Sequence, residues 1–403
     1  MKLRAWWLRT PVQGTVWPGA ASASSIEHSS GSDFINQYWR GVVMAPIVPP
    51  TMLGMTDHAH PFATLTPDFV LDALAALGLM GDGRLMTLNS YENRVYLAHL
   101  EPGTPLAEAH PAVVLKFYRP GRWTQAQIEE EHAFARELAA AEVPVVAPLV
   151  IDGRTLHRHG DFWFSLTPRR GGRAPELGDA DTLAWMGRFL ARLHLVGARQ
   201  AFVHRPALDL RSHGVEPREW LLAHAALPPE AERAWAEVSQ DAIDHIAAGA
   251  DWASSETHFD HPTRPIATLR LHADCHVGNI LWTPTEQPGG GPHFVDLDDC
   301  RSGPAVQDLW MLLAGERAER QRQLGALLDG YEQVRAFDRR ELALIEPLRT
   351  LRLIHYSAWL AQRAHDPAFA AAFAGFGTPD YWRGQTALLR EQIEAMAEPP
   401  LCA

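Results

Sequence analysis

Leu269-Arg270-Leu271-His272-Ala273-Asp274-Cys275-His276-Val277-Gly278-Asn279 places a short apolar run ahead of a His-x-Asp-x-x-x-x-Asn spacing. With four asparagines and 20 histidines in the chain, chance supplies that spacing in about one such sequence in a hundred. Ile280-Leu281-Trp282 follows, then a turn-rich stretch, then His293-Phe294-Val295-Asp296-Leu297-Asp298-Asp299. Two short apolar strands around a Gly/Pro turn predict a hairpin. That hairpin returns Asp296 to the neighbourhood of Asn279 and Asp274.

These residue types suit phosphoryl transfer, which asks for positioned charge around a phosphate and a hydroxyl acceptor rather than covalent chemistry. Mg²⁺ is a hard ion that takes one or two protein oxygens and completes its octahedron with phosphate and water. Asp296 and the Asn279 amide oxygen meet that demand, and Asp274 is left to orient the attacking hydroxyl and accept its proton. In extended chain Asp298 faces the same side as Asp296, as an additional metal group or a cap on local backbone. His272 reads as a structural hydrogen-bonder rather than a proton carrier. Cys275 beside His276, with no second pair of ligands nearby, does not read as a zinc site.

Working outward, Val113-Val114-Leu115-Lys116-Phe117-Tyr118 sets a lysine inside an apolar strand. A buried ammonium needs an acid or a phosphate. On the following helix Glu131 shares its face with Ile128, Phe134 and Leu138, whereas Glu129 and Glu130 point to solvent, so a Lys116–Glu131 pair is expected. Thr66-Pro67-Asp68 opens a helix that Gly78 stops. Strands are expected at 84–88, 94–100, 112–118, 145–151 and 162–166, with a helix over 124–141. Beyond Pro168 and Gly171-Gly172 the spacing turns helical, as at Leu183, Met186, Leu190 and Leu193. The fold class is therefore α+β: a small sheet-plus-helix lobe (64–168), a hinge, and a larger, mostly helical lobe (169–403) that holds the catalytic hairpin.

Residues 1–63 are dense in Ser, Gly, Pro and Thr and read as a leader without a fold of its own; Met52 and Met55 are later candidate starts. Arg9 and Pro11 cut the apolar run at 5–8 too short for a secretory signal. The formal charge of −12, from 36 Lys+Arg against 48 Asp+Glu, argues against binding nucleic acid or an anionic membrane. No apolar run is long enough to span a bilayer. Three cysteines without CxxC spacing suit a reducing, cytoplasmic setting.

The chain resembles the kinase-like phosphotransferases of the aminoglycoside phosphotransferase and choline kinase superfamily, and within it the stress response kinase A family. The resemblance rests on Leu88-Asn89-Ser90-Tyr91-Glu92-Asn93-Arg94-Val95-Tyr96, Val114-Leu115-Lys116-Phe117-Tyr118-Arg119-Pro120, Glu130-Glu131-His132, Glu142-Val143-Pro144-Val145 and Gly303-Pro304-Ala305-Val306-Gln307-Asp308-Leu309-Trp310. It spans roughly residues 64–400. It implies a bilobal protein-kinase-like fold, ATP and Mg²⁺, and transfer to Ser/Thr of proteins during stress. Ser90 would lie at the ATP site, Lys116 would hold the phosphates, and Asp308 would brace the catalytic loop. A monomer is expected. No Gly-x-Gly-x-x-Gly precedes Lys116; Ser90–Arg94 stands in its place. The competing readings are a kinase of a small alcohol (aminoglycoside, choline or sugar) and a catalytically silent nucleotide-binding protein.

Overall fold

Thr66 caps the first helix, α1 (Pro67–Ala75), its hydroxyl accepting the Phe69 N–H at 3.2 Å, with proline at the first turn. The computed structural model describes residues 61–402, apart from 89, 225–226, 250–265, 288, 367–368, 370–371 and 374. The expected leader lies almost wholly outside the described residues. Phe62, at its edge, is buried in the first lobe and stacks on Phe162 at 5.8 Å.

Five antiparallel strands form the sheet of the N-lobe: β1 (Gly81–Leu88), β2 (Arg94–Leu100), β3 (Ala112–Phe117), β4 (His157–His159) and β5 (Phe162–Pro168), in the order β1-β2-β3-β5-β4. A short helix, α2 (Pro105–Ala109), joins β2 to β3. α3 (Gln125–Ala140) begins in a capping box, Thr124 and Gln127 each bonding the other's backbone N–H. One sheet face buries Leu115, Phe117, Phe164 and Leu166 together with Val70 and Leu74 of α1.

The strand expected at 145–151 does not form. The segment is extended, but Val146 donates to Phe294 of the other lobe at 3.0 Å while Leu149 donates to Leu166 of the sheet at 2.7 Å. Pro148 has no N–H to continue a ladder, so the segment bridges the lobes instead of joining a sheet.

The C-lobe comprises α4 (Ala180–Gly197), a π-turn segment (Arg211–Val215), α5 (Glu216–Ala223), α6 (Pro229–Gly249), α7 (Val306–Trp310), α8 (Arg317–Tyr331), α9 (Ile345–Arg363) and α10 (Pro379–Ala397). α4 and α8 cross through paired glycines: a Cβ on Gly187 would sit 2.0 Å from the Leu327 carbonyl, and one on Gly330 would sit 1.9 Å from that of Ala184. Among these helices lie two two-stranded ribbons, β6 (Leu269–Leu271) with β9 (Arg301–Gly303), and the expected hairpin of β7 (Ile280–Thr283) and β8 (Gly291–Phe294). Trp282 and Trp310 belong to the core packed around it. Among the described residues no helix is long and apolar enough to cross a membrane.

Candidate active site

β6 ends at Leu271, and the chain then turns through Ala273, a non-glycine residue at φ +67°. Left-handed backbone at alanine costs free energy, so neighbouring contacts must hold it. Asp308 does: its carboxylate accepts the backbone N–H of His272 at 3.0 Å and of Ala273 at 2.7 Å. His194 Nε2 meets the same carboxylate at 3.1 Å, and Gln307 donates to the Ala273 carbonyl at 2.8 Å. His272 is fully buried, its Nε2 2.9 Å from the Val295 carbonyl.

This clamp presents Asp274 at the cleft with its side chain one-fifth exposed. Asn279 Nδ2 donates to the Asp274 carbonyl at 3.0 Å and to Oδ2 at 3.3 Å. Arg352 of α9 pairs with Oδ1 at 2.6 Å. Burial works against ionisation of Asp274, but the guanidinium of Arg352 and then His276 hold its carboxyl well below the usual carboxylate range. The hairpin closes the arrangement, Val295 donating to the Asn279 carbonyl at 3.0 Å. Asp296 follows at φ +60°, in left-handed backbone, with a half-exposed carboxylate.

Across the cleft, Lys116 corrects one expectation. Its ammonium pairs with Asp296 at 2.9 Å and Asp298 at 3.0 Å, not with Glu131. Glu131 does face inward and is buried, but acts on Lys116 through space. Burial opposes the lysine's charge, yet Asp296 and Asp298, with Glu131 behind them, keep its pKa well above the usual value. Burial pushes Glu131 itself up to about 7, Lys116 opposing. A second correction concerns Glu130, expected in solvent: its carboxylate accepts the backbone N–H of Val203 (2.6 Å), His204 (2.8 Å) and Arg205 (2.7 Å). Glu129 is exposed as expected.

Asp298 is buried. It meets Lys116, the guanidinium of Arg122 and the Asn93 amide at 3.2 Å. Ser90 accepts the Asn93 N–H at 3.3 Å in the turn before β2. Arg170 bonds the Gly289 carbonyl at 2.9 Å and the His293 ring, steadying the hairpin tip.

Two cavities meet here. One, of about 380 Å³, runs between Leu88, Val95, Val114 and Lys116 on the N-lobe and Leu281 and Val295 below, and reaches Ser165, Thr167 and Pro168. The other, of about 320 Å³, lies on the far side, walled by Asp274, Arg352, His355 and Trp359. Ser90, Gly278, Asn279 and Asp296 border both. With Nδ2 committed to Asp274, Asn279 offers its oxygen there alongside the Asp296 carboxylate, a pair of donors that suits a hard divalent cation. Among the described residues no group of three His, Cys, Asp or Glu is arranged to hold a metal by itself, so such an ion would draw its remaining ligands from phosphate and water.

Sequence reasoning missed Arg352, Arg122 and Asn93. Asn93 and Arg122 lie in or beside the strings that carried the family resemblance; Arg352, one of many arginines on amphipathic helices, left no local signal.

A model of the phosphotransferase enzyme family matches residues 85–345. Stress response kinase A of Escherichia coli (strain K12) is 44% identical over 347 residues, which cover 86% of this chain and 98% of that protein. The serine/threonine protein kinase RdoA of Salmonella typhimurium (strain LT2) is 44% identical over 348 residues, with coverage of 86% and 98%. Among solved structures, that of the amicoumacin kinase hAmiN in complex with AMP-PNP, Ca²⁺ and Ami aligns with a TM-score of 0.60 at 18% identity, covering 83% of this chain and 94% of that one. At that identity the likeness concerns the fold.

Proposed function

Because the chain belongs to the phosphotransferase enzyme family and, within it, to the stress response kinase A family, we propose that it is an ATP- and Mg²⁺-dependent protein serine/threonine kinase acting in a cytoplasmic stress response. The observation that carries the reading is the shared border of the two cavities, where Asn279 and Asp296 stand between Lys116 on one side and Asp274 on the other. A γ-phosphate must lie at such a border if nucleotide and acceptor occupy separate cavities.

In this reading adenine lies against the backbone near Ser165–Pro168, and Ser90 and Lys116 hold the phosphates. Asn279 and Asp296 hold the metal ion, which when bound neutralises phosphate charge. Asp274 orients the acceptor hydroxyl and takes its proton as the oxygen bonds to phosphorus and the bridging P–O bond breaks to release ADP. Asp308 braces the loop through its two backbone bonds.

A protein acceptor is supported by the name borne by the Salmonella relative and by the shape of the acceptor side. There the cavity shares Arg122, Asp299, Arg301, His355 and Trp359 with a further one of about 350 Å³, so the acceptor side continues beyond its own walls as an extended surface.

The test is Asp274→Asn, assayed with labelled ATP and a generic protein acceptor. Turnover is expected to fall at least about 10³-fold while Mg·ATP affinity changes less than about threefold. Full autophosphorylation by this variant would falsify the assignment of the base. Phosphate transfer to amino-sugars but to no protein would move the acceptor class to small alcohols.

A further inference from the structure

The loop that stands where a glycine-rich phosphate loop would be is fastened to the C-lobe. Glu92, two residues after Ser90, has a side chain only 12% exposed. Its Oε2 accepts the indole N–H of Trp359 at 2.7 Å and the Nε–H of Arg363 at 2.7 Å, both from the last turns of α9. Its Oε1 pairs with Arg119 of the N-lobe at 3.0 Å. Arg119 in turn donates to the Tyr91 carbonyl at 3.0 Å and the Glu92 carbonyl at 2.9 Å, so the loop backbone is tied to the same carboxylate.

Arg352, Trp359 and Arg363 lie at i, i+7 and i+11 on α9, which puts them on one stripe of the helix. The N-terminal end of that stripe pairs with Asp274 and the C-terminal end grips Glu92. A single rigid element therefore touches both the acceptor-side carboxylate and the loop bearing Ser90.

The geometry points to Glu92 and Trp359 as positioning residues for the nucleotide: through α9 they hold the Ser90 loop at a set distance from Asp274, replacing the mobility of a glycine-rich loop with a cross-lobe strut. This inference rests on the reading that Ser90 lies beside ATP. Charge-assisted bonds to a buried carboxylate are strong and directional, so loss of one lets the loop shift without unfolding the helix. The strut acts on ground-state placement of the nucleotide and not on the proton transfer at Asp274, which separates its effect on KM from any effect on kcat.

Trp359→Phe removes one N–H and keeps the ring; Glu92→Gln keeps an acceptor for Trp359 and removes the ion pairs to Arg119, Arg122 and Arg363. Calorimetric titration of each full-length variant with Mg·ATP, together with steady-state kinetics on myelin basic protein, is the experiment. Dissociation constant and KM for ATP are expected to rise about five- to tenfold in both variants, with kcat at saturating ATP within about twofold of wild type in Glu92→Gln; for Trp359→Phe, whose ring walls the acceptor side, the readout is the dissociation constant for Mg·ATP alone. A merely structural role would lower the melting temperature and leave ATP affinity in place. Folded variants that bind Mg·ATP within twofold of wild type overturn the inference and leave the kinase reading standing. A wild-type chain that binds no Mg·ATP overturns both. Should Glu92→Gln fail to fold, Trp359→Phe decides alone.

Discussion

In the 272–279 loop every charged or strained group is satisfied from within the C-lobe: Asp308 holds the backbone, Asn279 and Arg352 hold Asp274. On the facing strand, Lys116 has a glutamate of its own lobe close by, yet its direct partners are Asp296 and Asp298 of the other lobe. The first arrangement is complete whether or not the lobes meet. The second exists only when they do, so the pairing of the N-lobe charge depends on the lobes meeting, whereas the 272–279 loop is preformed. In the proposed reading phosphoryl transfer gains from both: a rigid base at Asp274, and an ammonium at Lys116 one of whose two carboxylate partners, Asp296, is also the proposed metal ligand.

Four substitutions probe that contrast. The largest effect is expected at Asp308, the hub of the preformed side. Asp308→Ala strands the N–H groups of His272 and Ala273 and the His194 ring, all buried, and should cost about 3–5 kcal/mol in urea unfolding. A loss below 1 kcal/mol would mean that the loop is not held by its own lobe.

Next come two buried carboxylates, one in each lobe. Glu341 accepts the Val306 N–H at 2.8 Å, and burial pushes its pKa from 4.5 up to about 7 despite that bond. Between those values the folded chain keeps a proton that the unfolded chain releases. Its contribution is therefore full below pH 4.5 and is lost as pH rises through 7. Unfolding at pH 5 and pH 8 should show wild type losing about 2–3 kcal/mol relative to Glu341→Gln across that interval. Glu131, likewise pushed up to about 7 by burial, should give a change of the same sign in Glu131→Gln; a change of opposite sign would show that Lys116 dominates it after all.

The smallest effect belongs to Glu130, which reaches from α3 to the backbone at residues 203–205 of the C-lobe. Glu130→Ala is expected to lower stability by about 1–2 kcal/mol. Because Arg205 bonds the Cys300 carbonyl at 2.9 Å and the Asp298 carbonyl, the variant should also loosen the turn at 298–300, seen as faster amide exchange there.

Much of this was legible before any coordinates. The helix cap at Thr66, the helix that begins near Thr124 and the hairpin after Asn279 follow from signals a few residues long, because hydrogen bonds over three or four residues depend on local chain chemistry. Convergence of Asp274, Asn279 and Asp296 was readable for the same reason: a hairpin is local, and its register brings back the residue that follows its second strand. The inward face of Glu131 was readable from helical periodicity. What failed was partner choice. Lys116 had four glutamates on the next helix and three aspartates 180 and more residues away, and spacing says nothing of which lies within ion-pair reach.

By itself, then, the amino-acid order determined the element types, the bilobal division and the side chains able to do phosphoryl chemistry, all consequences of short-range backbone preference and apolar periodicity. Only the tertiary structure decided that Lys116 reaches across the cleft, that segment 145–151 bridges rather than pairs, and that α9 joins Asp274 to Glu92. The reason is physical: Coulomb and hydrogen-bond energies fall steeply with separation, so among many chemically equivalent charges, the few ångströms set by the packing of whole elements select the partners.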